Sequence, residues 1–152
     1  MLVLLLLLGP GPLLSALVSQ QPSRTICKSG ASVKIQCHSM DIQAAVMLWY
    51  HQLRGQSFTL IATSNQGSRV TYEQGFTEAK FPISHPDLTF STLTVTSAQA
   101  KDSSLYFCGA STGISALPEF GEGTRLTVVD NLTKVNPPKV AVFEPSEVEI
   151  SR

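Results

Sequence analysis

The sequence predicts an all-β fold, an antiparallel sandwich of two sheets, and two observations carry that expectation. Short runs of alternating apolar and polar residues recur along the chain, separated by turn-forming residues. No segment sustains the 3.6-residue apolar period of a packed helix.

The elements follow in order. Thr25-Ile26-Cys27-Lys28-Ser29-Gly30 holds the first strand. Residues 31–37 alternate, with Val33, Ile35 and Cys37 on one face and Ser32, Lys34 and Gln36 on the other. A strand over 46–52 precedes the turn Arg54-Gly55-Gln56-Ser57, and one over 58–63 precedes the turn-rich Ser64-Asn65-Gln66-Gly67-Ser68. Residues 81–84, 89–96, 104–108 and 125–129 complete the series.

Bulk properties bound the rest. The 152 residues suffice for one domain and a tail. Eleven basic and 11 acidic side chains balance, so no basic footprint for nucleic acid is present. Residues 1–16, MLVLLLLLGPGPLLSA, have the leucine-rich run and small-residue end of a secretory signal peptide, although no Lys or Arg precedes the run. Export makes cysteine pairing available. The expected organisation is a leader over 1–16, one domain over 17–129, and over 130–152 a linker around Asn136-Pro137-Pro138 with the opening strand of a further domain. No second apolar run of membrane length follows the leader, so any anchor is expected outside these residues.

Catalysis finds no support in the sequence. His38, His51 and His85 are scattered, and the nucleophile-elbow, zinc-protease and phosphate-loop motifs are missing. Cys37, Cys108 and His38 lack the close spacing of a zinc site. The expectation is a protein without enzymatic activity, metal or cofactor.

One constellation narrows the fold. Cys108 lies 71 positions after Cys37, Trp49 lies 12 after Cys37 in the next strand, and Tyr106 stands two before Cys108. This pattern resembles the immunoglobulin fold of the variable type. The resemblance implies one inter-sheet disulfide, Cys37–Cys108, with Trp49 packed over it and Tyr106 forming a tyrosine corner. Such a bridge restricts the unfolded chain by about 4 kcal/mol. Cys27 is left over and reads as a small buried hydrophobe.

Three further segments sharpen the resemblance. Trp49-Tyr50-His51-Gln52, Asp102-Ser103-Ser104-Leu105-Tyr106-Phe107-Cys108 and Phe120-Gly121-Glu122-Gly123-Thr124 are similar to the framework of rearranging antigen receptors, the last to a joining segment. Val140-Ala141-Val142-Phe143-Glu144-Pro145-Ser146-Glu147 resembles the start of a T-cell receptor β constant region. The chain is thus identified as resembling a T-cell receptor β variable region. An adhesion-type variable domain, binding another protein through its sheet face, is the alternative, and the joining-like segment argues against it. The tail argues against an antibody light chain. Where the family has Trp-Tyr-Arg-Gln, His51 replaces the arginine and its polar contact.

The resemblance carries a set of sites. Strand parity turns Tyr50, Gln52 and Phe107 outward from the sheet that buries Trp49, and the family places Phe58, Leu60 and Phe120 beside them. That face is expected to meet a T-cell receptor α-chain variable domain, with Gln52 bonding its counterpart. Three loops are expected to contact antigen, a peptide held by a major histocompatibility molecule. Loop 1 comprises Asp41, Ile42, Gln43, Ala44, Ala45 and Val46. Loop 2 comprises Ser64, Asn65, Gln66, Gly67, Ser68, Arg69 and Val70. Loop 3 comprises Gly109, Ala110, Ser111, Thr112, Gly113, Ile114, Ser115, Ala116, Leu117, Pro118 and Glu119, with Ile114 and Leu117 as candidate anchors. The resemblance also implies a plasma-membrane location for the full-length chain and signalling subunits reached through regions beyond this sequence. Asn131-Leu132-Thr133 is a glycosylation sequon, and Lys80 is expected to pair with Asp102 at the surface for under about 1 kcal/mol.

Overall fold

The computed structural model describes residues 17–113 and 115–130; the expected leader, Ile114, the sequon at Asn131 and the tail lie outside the described residues. Among the described residues eleven strands form two sheets: β1 (Val18–Gln21), β2 (Arg24–Lys28), β3 (Val33–Ser39), β4 (Val46–Gln52), β5 (Thr59–Asn65), β6 (Thr71–Tyr72), β7 (Ile83–Asp87), β8 (Phe90–Val95), β9 (Ser104–Ser111), β10 (Glu119–Phe120) and β11 (Thr124–Val129). One sheet runs β1-β3-β8-β7; the other runs β2-β11-β9-β4-β5-β6, with β10 paired to β9. Among the described residues every pairing is antiparallel except β2 with β11. The V-type sandwich expected from sequence is the observed architecture.

Alternation explains the core. In β3, Val33, Ile35 and Cys37 are buried while Lys34 faces solvent. Cys37 and Cys108 form the disulfide between the two sheets. Trp49 is fully buried, and its indole N–H donates to Ser91 Oγ at 3.0 Å, so its polar end is satisfied inside the core. Ile35, Ile61, Leu93, Val95 and Leu126 fill the remaining space between the sheets.

The elements differ from expectation at three points. The expected first strand is β2, and a further strand, β1, precedes it: β1 pairs with β3, and after Pro22 the chain crosses to pair β2 with β11 in the other sheet. Proline cannot donate to a ladder, which suits the point of crossing. Cys27 therefore sits in an edge strand, half-buried and unpaired; burial, then the Asp102 charge, pushes its thiol above the ordinary value. Second, Phe120 lies in a short strand that the sequence reading does not include. It belongs to the two-residue β10, and the ladder with β9 resumes only at Thr124. Third, the Lys80–Asp102 pair, 2.8 Å long, is not a surface pair, because the Asp102 side chain is only 8% exposed and that of Lys80 28%.

The break after β10 has a physical origin that sequence reasoning missed. Gln20, on the inward side of β1, reaches across to the other sheet. Its Nε2 donates to Tyr106 O at 2.7 Å and Thr124 Oγ1 at 3.0 Å. Its Oε1 accepts Gly123 N–H at 3.1 Å and Cys108 N–H at 3.3 Å. One buried amide thus supplies bonds that the interrupted ladder leaves open. The glycines of Phe120-Gly121-Glu122-Gly123 follow from this. A Cβ on Gly121 would lie 2.6 Å from Gln20 Oε1, and Gly123 adopts φ +97°.

Candidate binding site

Two features of the sandwich have no internal use: an aromatic face and the loop end beside it. On the face, the ladder places Phe107, Tyr50 and Leu60 in one row across β9, β4 and β5, since Tyr50 pairs with both neighbours. A bulge after Trp49 sets that register, leaving Ile61 to point inward. Phe58 packs edge-on against Phe107 with centroids 5.0 Å apart, and Phe120 against Tyr50 at 5.7 Å. These four rings line a hollow of about 360 Å³. Phe58 stays 58% exposed and Phe120 50%. Phe120 can lie flat because its ladder partner is Gly109, where a Cβ would meet the ring at 2.9 Å.

Phe58 precedes β5 instead of belonging to it, yet its ring joins the row expected of it. Gln52 is half-buried at the lower edge, and its Nε2 donates to Gln56 O at 2.8 Å, a local use that the sequence did not anticipate. His51 faces inward, edge-on to Phe76 at 5.4 Å and tilted over Tyr106 at 6.0 Å. Where the family's arginine would make a polar contact, His51 makes aromatic ones, and burial lowers its pKa against a smaller raising effect of Asp102.

The three loops meet at one end, because Val46 pairs with both Asn65 and Ser111. Their surfaces are smaller than sequence suggested. Ala44 and Val46 are buried under loop 1, leaving Asp41 and Gln43 exposed. Ser64 and Asn65 are the last residues of β5, and Ser64 is buried; Gln66, Gly67, Ser68 and Arg69 form the exposed turn of loop 2. Ile42 and Val70 pack partly against the core. In loop 3, Gly109, Ala110 and Ser111 continue β9 and are buried, so the strand runs three residues past the expected end at Cys108. Gly109 accordingly seats Phe120 and gives the loop no freedom. The tip is tied by Ser111, whose hydroxyl lies 2.6 Å from Gly113 O and 3.2 Å from Ala116 O. Thr112, Ser115, Ala116 and Leu117 are exposed, Leu117 at 90%. Pro118 and Glu119 are half-buried against the strand.

The titratable side chains around this end are dispersed. The three histidines are separate: His38 packs tilted against Phe90 at 4.6 Å, His51 lies at the opposite end, and His85 bonds Ser64. Among the described residues no group of three His, Cys, Asp or Glu side chains could hold a metal ion. Beside loop 1, the Asp87 carboxylate accepts the Thr89 hydroxyl and N–H, which hold it below the usual carboxylate range.

Comparison with known proteins agrees with this geometry. The immunoglobulin V-set domain family matches residues 20–129. Human T cell receptor beta variable 20-1 is 64% identical over 110 residues, covering 72% of this chain and 99% of that one. Human T cell receptor beta variable 29-1 is 59% identical, covering 70% and 95%. A viral T-cell receptor beta chain-like protein of feline leukemia virus is 38% identical over 99% of this chain and 47% of its own length. Among solved structures, a chain from work on the structural basis of T cell specificity and activation by the bacterial superantigen toxic shock syndrome toxin-1 has a TM-score of 0.70 and 50% identity, covering 74% of this chain and 98% of that one. With its fold, disulfide and joining-type Phe-Gly-Glu-Gly segment, this chain belongs to the immunoglobulin V-set family and, within it, to the T-cell receptor β variable chains.

Proposed function

We propose that this chain is the β half of a heterodimeric antigen receptor. It pairs through the aromatic face with an α-chain variable domain and reads a peptide held by a major histocompatibility molecule with its three loops. The observation that carries the reading is the continuity of the two surfaces. Phe120, half exposed, closes the aromatic face and directly follows loop 3, so a partner domain on that face would complete a composite site around the loop. An apolar face of this kind is costly to leave in water and marks an interaction surface. Residues 1–16 act as the secretory leader, Asn131 offers a glycan site in the hinge, and the signalling subunits are reached through regions outside this sequence. The role is binding, without catalysis.

Coexpression with an α variable domain tests the reading. A defined heterodimer should form, burying roughly 1,600 Å² or more in total, and Phe58→Ser with Phe120→Ser should abolish it. The chain alone should self-associate. A monodisperse monomer at high concentration that ignores α domains would favour an adhesion module instead.

A further inference from the structure

A polar junction at the loop end joins the two sheets without belonging to either ladder. His85 stands in β7, where the register against β8 shifts between Ser84 and Asp87, so that two residues oppose one. Such a bulge re-aims a side chain, and here the ring crosses to the other sheet. Its Nε2 lies 2.9 Å from Ala44 O in loop 1, and its Nδ1 lies 2.9 Å from Ser64 Oγ at the base of loop 2. A carbonyl oxygen only accepts, so a proton sits on Nε2, and in that single-proton tautomer Nδ1 accepts the Ser64 hydroxyl.

Both partners are buried, Ala44 at 0% and Ser64 at 1% exposure, so neither can turn to water for a substitute. Backbone bonds complete the junction. Ala44 N–H donates to Leu88 O at 2.8 Å, and Gln66 N–H to Ala45 O at 2.9 Å. Gln66 Nε2 donates to Pro86 O at 3.3 Å. Loop 1, loop 2 and the β7–β8 hairpin thus meet around one imidazole.

We propose that His85 is a positioning residue of the recognition end, which locks loops 1 and 2 and the hairpin into one body through its Nε2–H tautomer. The exposed side chains of the two loops then keep a fixed relative geometry before any ligand arrives, which lowers the ordering cost of binding. The inference rests on reading these loops as the binding surface, but its test uses the unliganded chain, so the two can fail separately.

The test combines imidazole nitrogen spectroscopy with amide exchange on the folded full chain. Long-range proton–nitrogen correlation of His85 should find the proton on Nε2. In His85→Ala, exchange at the Ala44 and Gln66 amides should accelerate about tenfold, with Ile35, Trp49 and Leu126 unchanged. His85→Gln, which offers an amide donor and acceptor, should recover part of that protection. A proton on Nδ1 overturns the proposal, as do unchanged exchange at both loops, acceleration spread through the core, or no recovery with glutamine. Should the alanine variant fail to fold, the tautomer and the glutamine variant still decide the matter.

Discussion

Tyr106 donates its hydroxyl to the backbone carbonyl of Asp102, four positions earlier, at 2.7 Å, closing a buried corner. The Asp102 carboxylate in turn accepts the Lys80 ammonium at 2.8 Å and the Gln99 N–H at 2.8 Å. Burial, then the Asp102 charge, raises the Tyr106 pKa far above its ordinary value, so the phenol remains a donor throughout the working range. Tyr106→Phe leaves the carbonyl without its donor and should cost ~1–3 kcal/mol by urea denaturation. Lys80→Met leaves a buried carboxylate with its N–H partner alone. It should cost more than the ~1 kcal/mol of a surface pair, though less than the ~3–5 kcal/mol of a fully buried one.

Gln20 offers a second test, because one amide serves two sheets. Gln20→Leu should lower stability by about 3 kcal/mol or more, since the Cys108 and Gly123 N–H groups and the Tyr106 carbonyl lose a partner where water has little access. Gly121→Ala attacks the same amide from the other side, with its Cβ 2.6 Å from Gln20 Oε1 and 3.3 Å from Cys108 Sγ. Both variants should unfold earlier than the parent in urea with the disulfide intact. Parent-like midpoints would mean that the break after β10 is held by something else.

How far the sequence reaches is visible at these residues. The family resemblance put Cys37, Trp49 and Tyr106 in the core, and strand parity then turned Tyr50 and Phe107 outward, because a period of two is a local property. Gln20 was illegible: its inward position follows from alternation with Val18, but its partners lie 86 to 104 residues away. Loop boundaries were misplaced for a related reason. Residues 109–111 are small and turn-compatible, yet β4 and β10 on either side hold them in a strand. His85 gave no signal in sequence, since a lone histidine acquires its meaning only from the bulge that aims it.

His51 predicts a pH response. Its folded pKa lies below the ordinary 6.5, chiefly through burial, so an unfolded chain takes up a proton at 6.5 that the folded chain accepts only at lower pH. In that window the unfolded state binds more protons, so stability falls as pH falls below 6.5 and is fully present above it. His51→Phe, which suits the neighbouring Phe76 and Tyr106 rings, should flatten the decline of thermal midpoint with acidification. An unchanged slope would show that His51 is not the titrating group.

The proposed antigen contact is tested by an alanine scan in a receptor paired with an α chain, read as binding to its cognate peptide-bearing ligand. Buried Val46, Ser64 and Ser111 support the loops from beneath, so the scan should separate them from the exposed positions. Leu117, 90% exposed and the largest apolar side chain among the described residues of loop 3, should be the most sensitive, at about 2 kcal/mol. Ile114 is the other expected anchor. Gln43, Gln66 and Arg69 should cost less, about 0.5–1 kcal/mol each, because they flank the centre and keep contact with solvent. His85→Ala should weaken binding through loops 1 and 2 while leaving the Leu117 contribution intact, so the double variant should be additive within about 0.5 kcal/mol. Silence across loop 3 with full loss from Phe58 and Phe107 substitutions, measured with pairing held intact, would place recognition on the sheet face and reject the antigen-receptor reading.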